Sequence, residues 1–356
     1  MMSPARLLER PSVRSTLSAF LALAVSIGIS TVLILLVGRD PGEVYDLFIK
    51  GTLGSPYGVG QVLFKATPLI YTGLAAAICF KAGLFNIGAE GQLTIGAFCT
   101  AAAGFYSHML PPFLAIPFCL LAGIIGGGIW GLLPGMLKAF FGVHEVINTI
   151  MMNFIAAGLV NFLVGDIFSV PATVHTPDIS GSSFLPRFGA FSGYFTASPV
   201  NVSILLAIGT CFLTYFYIYR TVPGYETRAA GLNPNASLFA GIRPSRVIIR
   251  TFFISGAVAG LVGSNYVMGY KHYFELGFSE GAGFIGIAVA LLARNNPIVI
   301  ILTALLFGLL EYGSLTINTM IPKELANILQ AIVIISIIVL TKIFDRLQLR
   351  LGKGGV

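Results

Sequence analysis

The sequence predicts an all-α polytopic membrane protein of about ten transmembrane helices, some of them discontinuous, and three observations lead there. Of the 356 residues, 56% are hydrophobic and 10% are charged, where soluble domains carry roughly 25% charged residues. The apolar residues fall in continuous runs, and a backbone inside lipid must satisfy its own hydrogen bonds, so runs of about 20 residues are helices. A membrane barrel would instead need short alternating segments. The basic residues also segregate. With the N-terminus inside, fifteen of the 21 lysines and arginines fall on the cytoplasmic side, as the positive-inside rule requires.

The first run, 18–37, follows Arg6, Arg10 and Arg14 as a signal peptide would. It is longer than an h-region, and Val37-Gly38-Arg39-Asp40 is no small-residue cleavage site, so it reads as a retained span. Further spans are expected near 66–80, 84–107, 113–137, 146–165, 199–219, 249–270, 283–293, 297–316 and 325–341. Of these, 283–293 is too short to cross unaided. The expected organisation is a cytoplasmic segment 1–17, a membrane domain 18–343 and a cytoplasmic tail 344–356. Outer segments lie at 38–65 and 166–198, and one long basic inner loop lies at 220–248.

Several function classes are set aside by what the chain lacks. The net charge of +7 comes from basic residues scattered between apolar runs, which orient a membrane protein and do not form a nucleic-acid surface. Cys79, Cys99, Cys119 and Cys211 sit inside apolar stretches without metal-ligand spacing, and His108, His144, His175 and His272 are dispersed. No metal or catalytic site is expected. The Gly352-Lys353 pair is followed by Gly354, so there is no phosphate-binding loop and no ATPase of the chain's own.

Four segments stand out. Gly123, Gly127, Gly131 and Gly135 share one helical face, and Gly256 and Gly260 repeat the spacing, which points to close helix packing. The stretch 81–92 places Asn86, Glu90 and Gln92 among glycines between two apolar runs. Such a cluster is either a broken helix lining a pathway or a cytoplasmic turn with Glu90 in the next helix's first turn. Glu280-Gly281 and Gly286 echo the spacing of Glu90-Gly91 and Gly96 at a distance of 190 residues, as internal repeats of transporters do. In the inner loop, Asn233-Pro234 starts a short helix that Gly241 stops. Its exposed Leu238 and Phe239 ask for a protein partner or for anionic lipid.

Phe85-Asn-Ile-Gly-Ala-Glu-Gly-Gln92, the loop Gly224-Tyr-Glu-Thr-Arg-Ala-Ala-Gly231 with Asn233-Pro234-Asn235, and Ile287-Ala-Val-Ala-Leu-Leu292 with Asn295-Asn296-Pro297 together resemble the membrane permeases of ABC importers. The match is to the branch serving simple sugars and nucleosides. The resemblance implies a bacterial cell membrane location, with both termini cytoplasmic. Implied partners are an ATP-binding subunit that uses ATP and Mg, an external solute-binding lipoprotein and a second related permease. The start before Ala66 resembles the larger permease of a pair, which implies a heterodimer. No cofactor is implied in this chain.

The resemblance further implies that Gly224, Glu226, Arg228, Gly231, Asn233, Pro234, Leu238, Phe239 and Gly241 form the segment that couples to the ATPase. It shifts the balance for Leu238 and Phe239 from lipid to protein docking. The Asn-Ile-Gly-Ala-Glu version of the first motif is that of nucleoside permeases, while ribose-type permeases show Asp-Leu-Ser-Val-Gly there. Nucleosides are therefore the expected substrate, with a sugar such as ribose as the alternative and an ion-coupled secondary transporter as a third reading. Phe85, Asn86, Glu90, Gln92 and Asn153 are the expected substrate-pathway residues.

Overall fold

A computed structural model describes residues 11–191 and 193–352. A helix occupies each of the ten predicted span positions. Among the described residues, however, six helices are long and apolar enough to cross a membrane alone, and a bent pair raises the number to seven. The prediction of ten is not reached, for three local reasons. The helix Ala89–Tyr106 has 18 residues but opens on the polar Glu90 and Gln92. The helix Ala282–Leu292 has only 11 residues. At the C-terminal end, the apolar part is the short stretch Glu324–Ser336.

The chain forms two compact units. Among the described residues, the first comprises 11–55 and 310–352. It contains α1 (Pro11–Leu36), α2 (Pro41–Thr52) and α13 (Lys323–Gly352). Ala24–Leu36 and Pro41–Thr52 meet at 119°. The Asp40 carboxylate accepts the Gly42 N–H at 2.8 Å and caps α2, and Pro41 supplies the fixed φ of a first helical position. Ile34, Val44, Ile317, Ile321 and Ala326 form the buried core of this unit. Thr31 bonds the Tyr45 hydroxyl at 3.0 Å, tying α1 to α2.

The second unit, 56–309, holds the site. Its helices are α3 (Pro56–Lys81), α4 (Ala89–Tyr106), α5 (Pro112–Phe141), α6 (Glu145–Phe162), α7 (Ser203–Arg220), α8 (Val222–Leu232), α9 (Pro234–Phe239), α10 (Pro244–Gly260), α11 (Ala282–Leu292) and α12, Pro297–Thr316, which begins there. α3 is the central helix: its side chains are buried almost continuously from Val62 to Cys79. α5 has two opposite faces. Leu121, Ile125, Ile129 and Leu133 are exposed at four-residue spacing, a face for lipid tails. The glycines two residues further on turn inward, and α10 lies so close that a side chain at Gly127 would collide with the Gly256 carbonyl. The close packing expected of the glycine stripe is therefore present, and it fixes α10 beside α5.

Candidate functional site

α3 ends at Lys81, and Gly83 adopts φ +70° as the chain turns. Residues 84–88 are non-helical until α4 starts at Ala89. A break of this kind between two helices exposes backbone groups that need partners. Asn86, 2% exposed, meets one of them and ties the break to its neighbours. Its Oδ1 accepts the Gly88 N–H at 2.9 Å, and its Nδ2 donates to Gln92 Oε1 and to Ser255 Oγ, both at 2.9 Å. Ser255 in turn donates to the Ala75 carbonyl of α3 at 2.7 Å. From α6, Asn153 accepts the Gly91 N–H at 2.8 Å and donates to the Ile87 carbonyl at 3.0 Å. Phe85 is half-buried and meets Phe80 edge to face at 5.2 Å. The amides of Asn86, Gln92 and Asn153 thus hold the break itself together.

Glu90 reaches outward to a second break. After α10 the chain passes through a π-helical segment, Ser264–Lys271, and turns at His272, φ +68°. It turns again at Glu280 and Gly281, φ +47° and +84°, before α11 begins. Glu90 Oε2 accepts the Gly283 N–H at 2.8 Å in the first turn of α11, and Oε1 accepts the Ser279 hydroxyl. The carboxylate therefore caps α11 from another helix, where anionic charge is favoured by the helix dipole. The spacing echo places two breaks side by side, but the two glutamates differ in role. Glu280 pairs with Lys65 of α3 at 2.8 Å.

Beside this pair lies a cavity of about 370 Å³. Gln61, Phe64 and Lys65 of α3 line one part, and residues from Tyr266 to Glu280 line the rest. None of the sequence-predicted pathway residues reaches it. The signal that points to it is the aromatic run Tyr266, Tyr270, Tyr273, Phe274 and Phe278 between two apolar helices. The rings pack edge to face, Phe64 against Tyr266 at 5.4 Å and against Tyr270 at 4.9 Å, and Tyr266 against Phe278 at 5.0 Å. Lys271 and Glu275, also lining residues, pair at 3.1 Å.

The segment 174–185 clasps the lining loop. Thr176 N–H donates to the Phe274 carbonyl at 2.9 Å, Ile179 N–H to His272 at 2.8 Å and Leu276 N–H to Val174 at 3.1 Å. His175 stacks on Tyr273 at 4.2 Å, and Phe184 on His272 at 3.7 Å. Burial, then the Arg187 charge, push the His272 pKa below its ordinary value, with Asp178 opposing.

The loop 220–248 holds two helices where the sequence suggested one. Thr221 caps α8 by accepting the Gly224 N–H at 3.1 Å, and Pro223 falls in its first turn. Asn233 caps α9 by accepting the Ala236 N–H at 3.0 Å, and Pro234 opens that helix as expected. Leu238 is 55% and Phe239 95% exposed, and Gly241 turns the chain away at φ +79°. Glu226 pairs with Arg250 of α10 at 2.9 Å, and Arg228 lies over the Tyr219 ring at 5.4 Å. Gly231 and Gly83 face each other, and a side chain at Gly231 would strike the Lys81 carbonyl. The loop 220–248 is therefore seated directly on the turn that begins the first break.

Residues 58–338 match the family described as the branched-chain amino acid transport system / permease component. The guanosine ABC transporter permease protein NupP of Bacillus subtilis is 34% identical over 88% of this chain and 90% of its own length. The nucleoside ABC transporter permease protein NupB of Lactococcus lactis is 35% identical over 92% of this chain and 91% of its own. The glucose ABC transporter permease protein TsgB13 of Haloferax volcanii is 30% identical over 89% and 86%. This chain belongs to that family of permease components.

Proposed function

We propose that this chain forms the translocation pathway of an ATP-driven ABC importer of nucleosides in a bacterial cell membrane, with both termini cytoplasmic. A separate ATP-binding subunit docks on α9, a second related permease completes the pathway, and an external solute-binding lipoprotein delivers the substrate. The observation that carries this reading is the joint between the two helix breaks: Glu90 of α4 bonded to Ser279 and Gly283. Ionisable groups and interrupted helices at membrane depth line transport pathways. The preference for nucleosides rests on the guanosine and nucleoside permeases, each matched over most of both chains.

The fold suggests how the motor would act on the pathway. Force applied to α9 passes along α8 to Gly231, onto the Lys81–Gly83 turn, through the Asn86 and Asn153 bonds, and across Glu90 to α11. Leu238→Asp with Phe239→Asp leaves the chain inserted but abolishes co-purification of the ATP-binding subunit; retention of that subunit would sink the docking assignment. The substrate is tested by reconstituting the purified complex and measuring ATP-dependent uptake of guanosine, uridine and ribose. Uptake of ribose alone would favour a sugar importer, which the 30% identity to a glucose permease supports as the second reading. Uptake that persists without ATP and collapses with an ion gradient would overturn the ABC assignment.

A further inference from the structure

The cavity between α3 and the Tyr266–Glu280 segment has a chemistry more specific than a general pathway requires. Its volume of about 370 Å³ lies within the roughly 300–1,000 Å³ of small-molecule sites. One side is aromatic, with Phe64, Tyr266, Tyr270 and Phe278 in mutual edge-to-face contact. The other side carries Gln61 and the Lys65–Glu280 pair. Both lysines of the lining are paired with carboxylates of the lining, Lys65 with Glu280 and Lys271 with Glu275. Each lysine is thus offset by a carboxylate of the lining, so the cavity offers a phosphate or a free carboxylate no net positive charge, while a neutral solute needs none.

We propose that this cavity binds a neutral nucleoside, the base against the tyrosine and phenylalanine rings and the ribose diol on the Lys65–Glu280 pair. This rests on the nucleoside reading above and adds to it a location and a division of labour. A base offers a flat face for aromatic contact, which contributes affinity without requiring a particular base. A vicinal diol offers both donors and acceptors to an ion pair. Glu280 is 58% exposed, and a carboxylate has roughly four acceptor sites, which leaves room for a ligand hydroxyl beside its partners in the fold. Glu280 directly follows Ser279, one of the two groups bonded to Glu90. A ligand held by Glu280 therefore acts on the segment that joins the two breaks, which connects occupancy of the cavity to the helices that must move.

The test uses the complete reconstituted importer. Tyr270→Ala raises the KM for guanosine and uridine about tenfold with the maximal rate nearly unchanged, the loss expected from one base–ring contact. Tyr270→Phe restores it. Gln61→Cys, in detergent-solubilised complex, is modified by a methanethiosulfonate reagent, and guanosine or uridine slows that modification while uridine monophosphate and leucine do not. The KM change and the protection each support the site. A KM unchanged in Tyr270→Ala, an equal KM rise for free ribose, or modification of the introduced thiol that saturating nucleoside does not slow would each overturn it. Failure of the unsubstituted importer to take up any nucleoside sinks the transport reading instead. The thiol protection does not depend on Tyr270→Ala folding.

Discussion

The two helix breaks differ in how they are built. The first, between α3 and α4, is buried, and its exposed backbone is met by Asn86, Asn153 and Thr149 at 2.8–3.3 Å. The second, from His272 to Gly281, is partly exposed and takes left-handed backbone at the non-glycine residues His272 and Glu280. Such conformations cost of order 1–3 kcal/mol each and persist only where the surroundings enforce them. Here the enforcing groups are the clasp at 174–185 and Glu90. We read the first break as a fixed strut and the second as a segment held by its neighbours that can be released. Glu90 is where one acts on the other.

The largest effect is expected at that joint. Glu90→Ala removes two hydrogen bonds to a carboxylate, each worth about 1.5–3 kcal/mol, and uptake by the reconstituted importer falls by about a hundredfold while insertion and subunit co-purification persist. Glu90→Gln, which keeps an acceptor for one partner, falls between the two. Wild-type uptake by Glu90→Ala would show that the breaks move independently. Asn86→Ala tests the strut. It strands the Gly88 N–H and the Gln92 side chain in a buried site, at about 1–3 kcal/mol per unsatisfied group, while Ser255 keeps its bond to the Ala75 carbonyl. The expected readout is a lowered midpoint of thermal unfolding in detergent, with a larger drop than for Ser279→Ala at the released break. A larger drop for Ser279→Ala would reverse the assignment of strut and released segment.

Much of this was legible in the sequence, and the remainder was not, for physical reasons. Lipid forces long apolar runs to be helices, so each predicted span position holds one. The number that cross was less legible: α11, with 11 residues, and α4, with a polar first turn, depend on protein neighbours that no single run encodes. The cluster at Asn86, Glu90 and Gln92 stood out, but residue type alone does not say whether an amide faces a solute or its own chain. The cavity was hidden because Lys65 and Glu280 are 215 residues apart. The sequence reading named no helix at 222–232, where Pro223 sits in the first helical turn, a position at which proline is tolerated.

Gly231→Ala asks whether force enters at the strut. Its methyl would meet the Lys81 carbonyl and push α8 off the Lys81–Gly83 turn. ATP hydrolysis by the complex then continues while uptake drops about tenfold, because Leu238 and Phe239, the proposed docking residues, are untouched. Equal losses of hydrolysis and uptake would place the effect at docking instead.

The smallest effect concerns the clasp over the second break. His272 stacks on Phe184, and burial together with Arg187 lowers its pKa, so the folded clasp prefers the neutral ring. A histidine whose folded-state pKa lies below its unfolded value of 6.5 costs nothing above that pH; stability falls as the pH drops from there toward the folded value. Backbone amides of Thr176, Ile179 and Leu276, which bond across the clasp, should therefore exchange with deuterium faster at pH 5.5 than at pH 7.5 after correction for intrinsic rates. His272→Phe keeps an aromatic ring against Phe184 and removes the titration, so the pH difference disappears in that variant and the His175 ring is separated from the effect. An unchanged difference in His272→Phe would locate the pH sensitivity elsewhere.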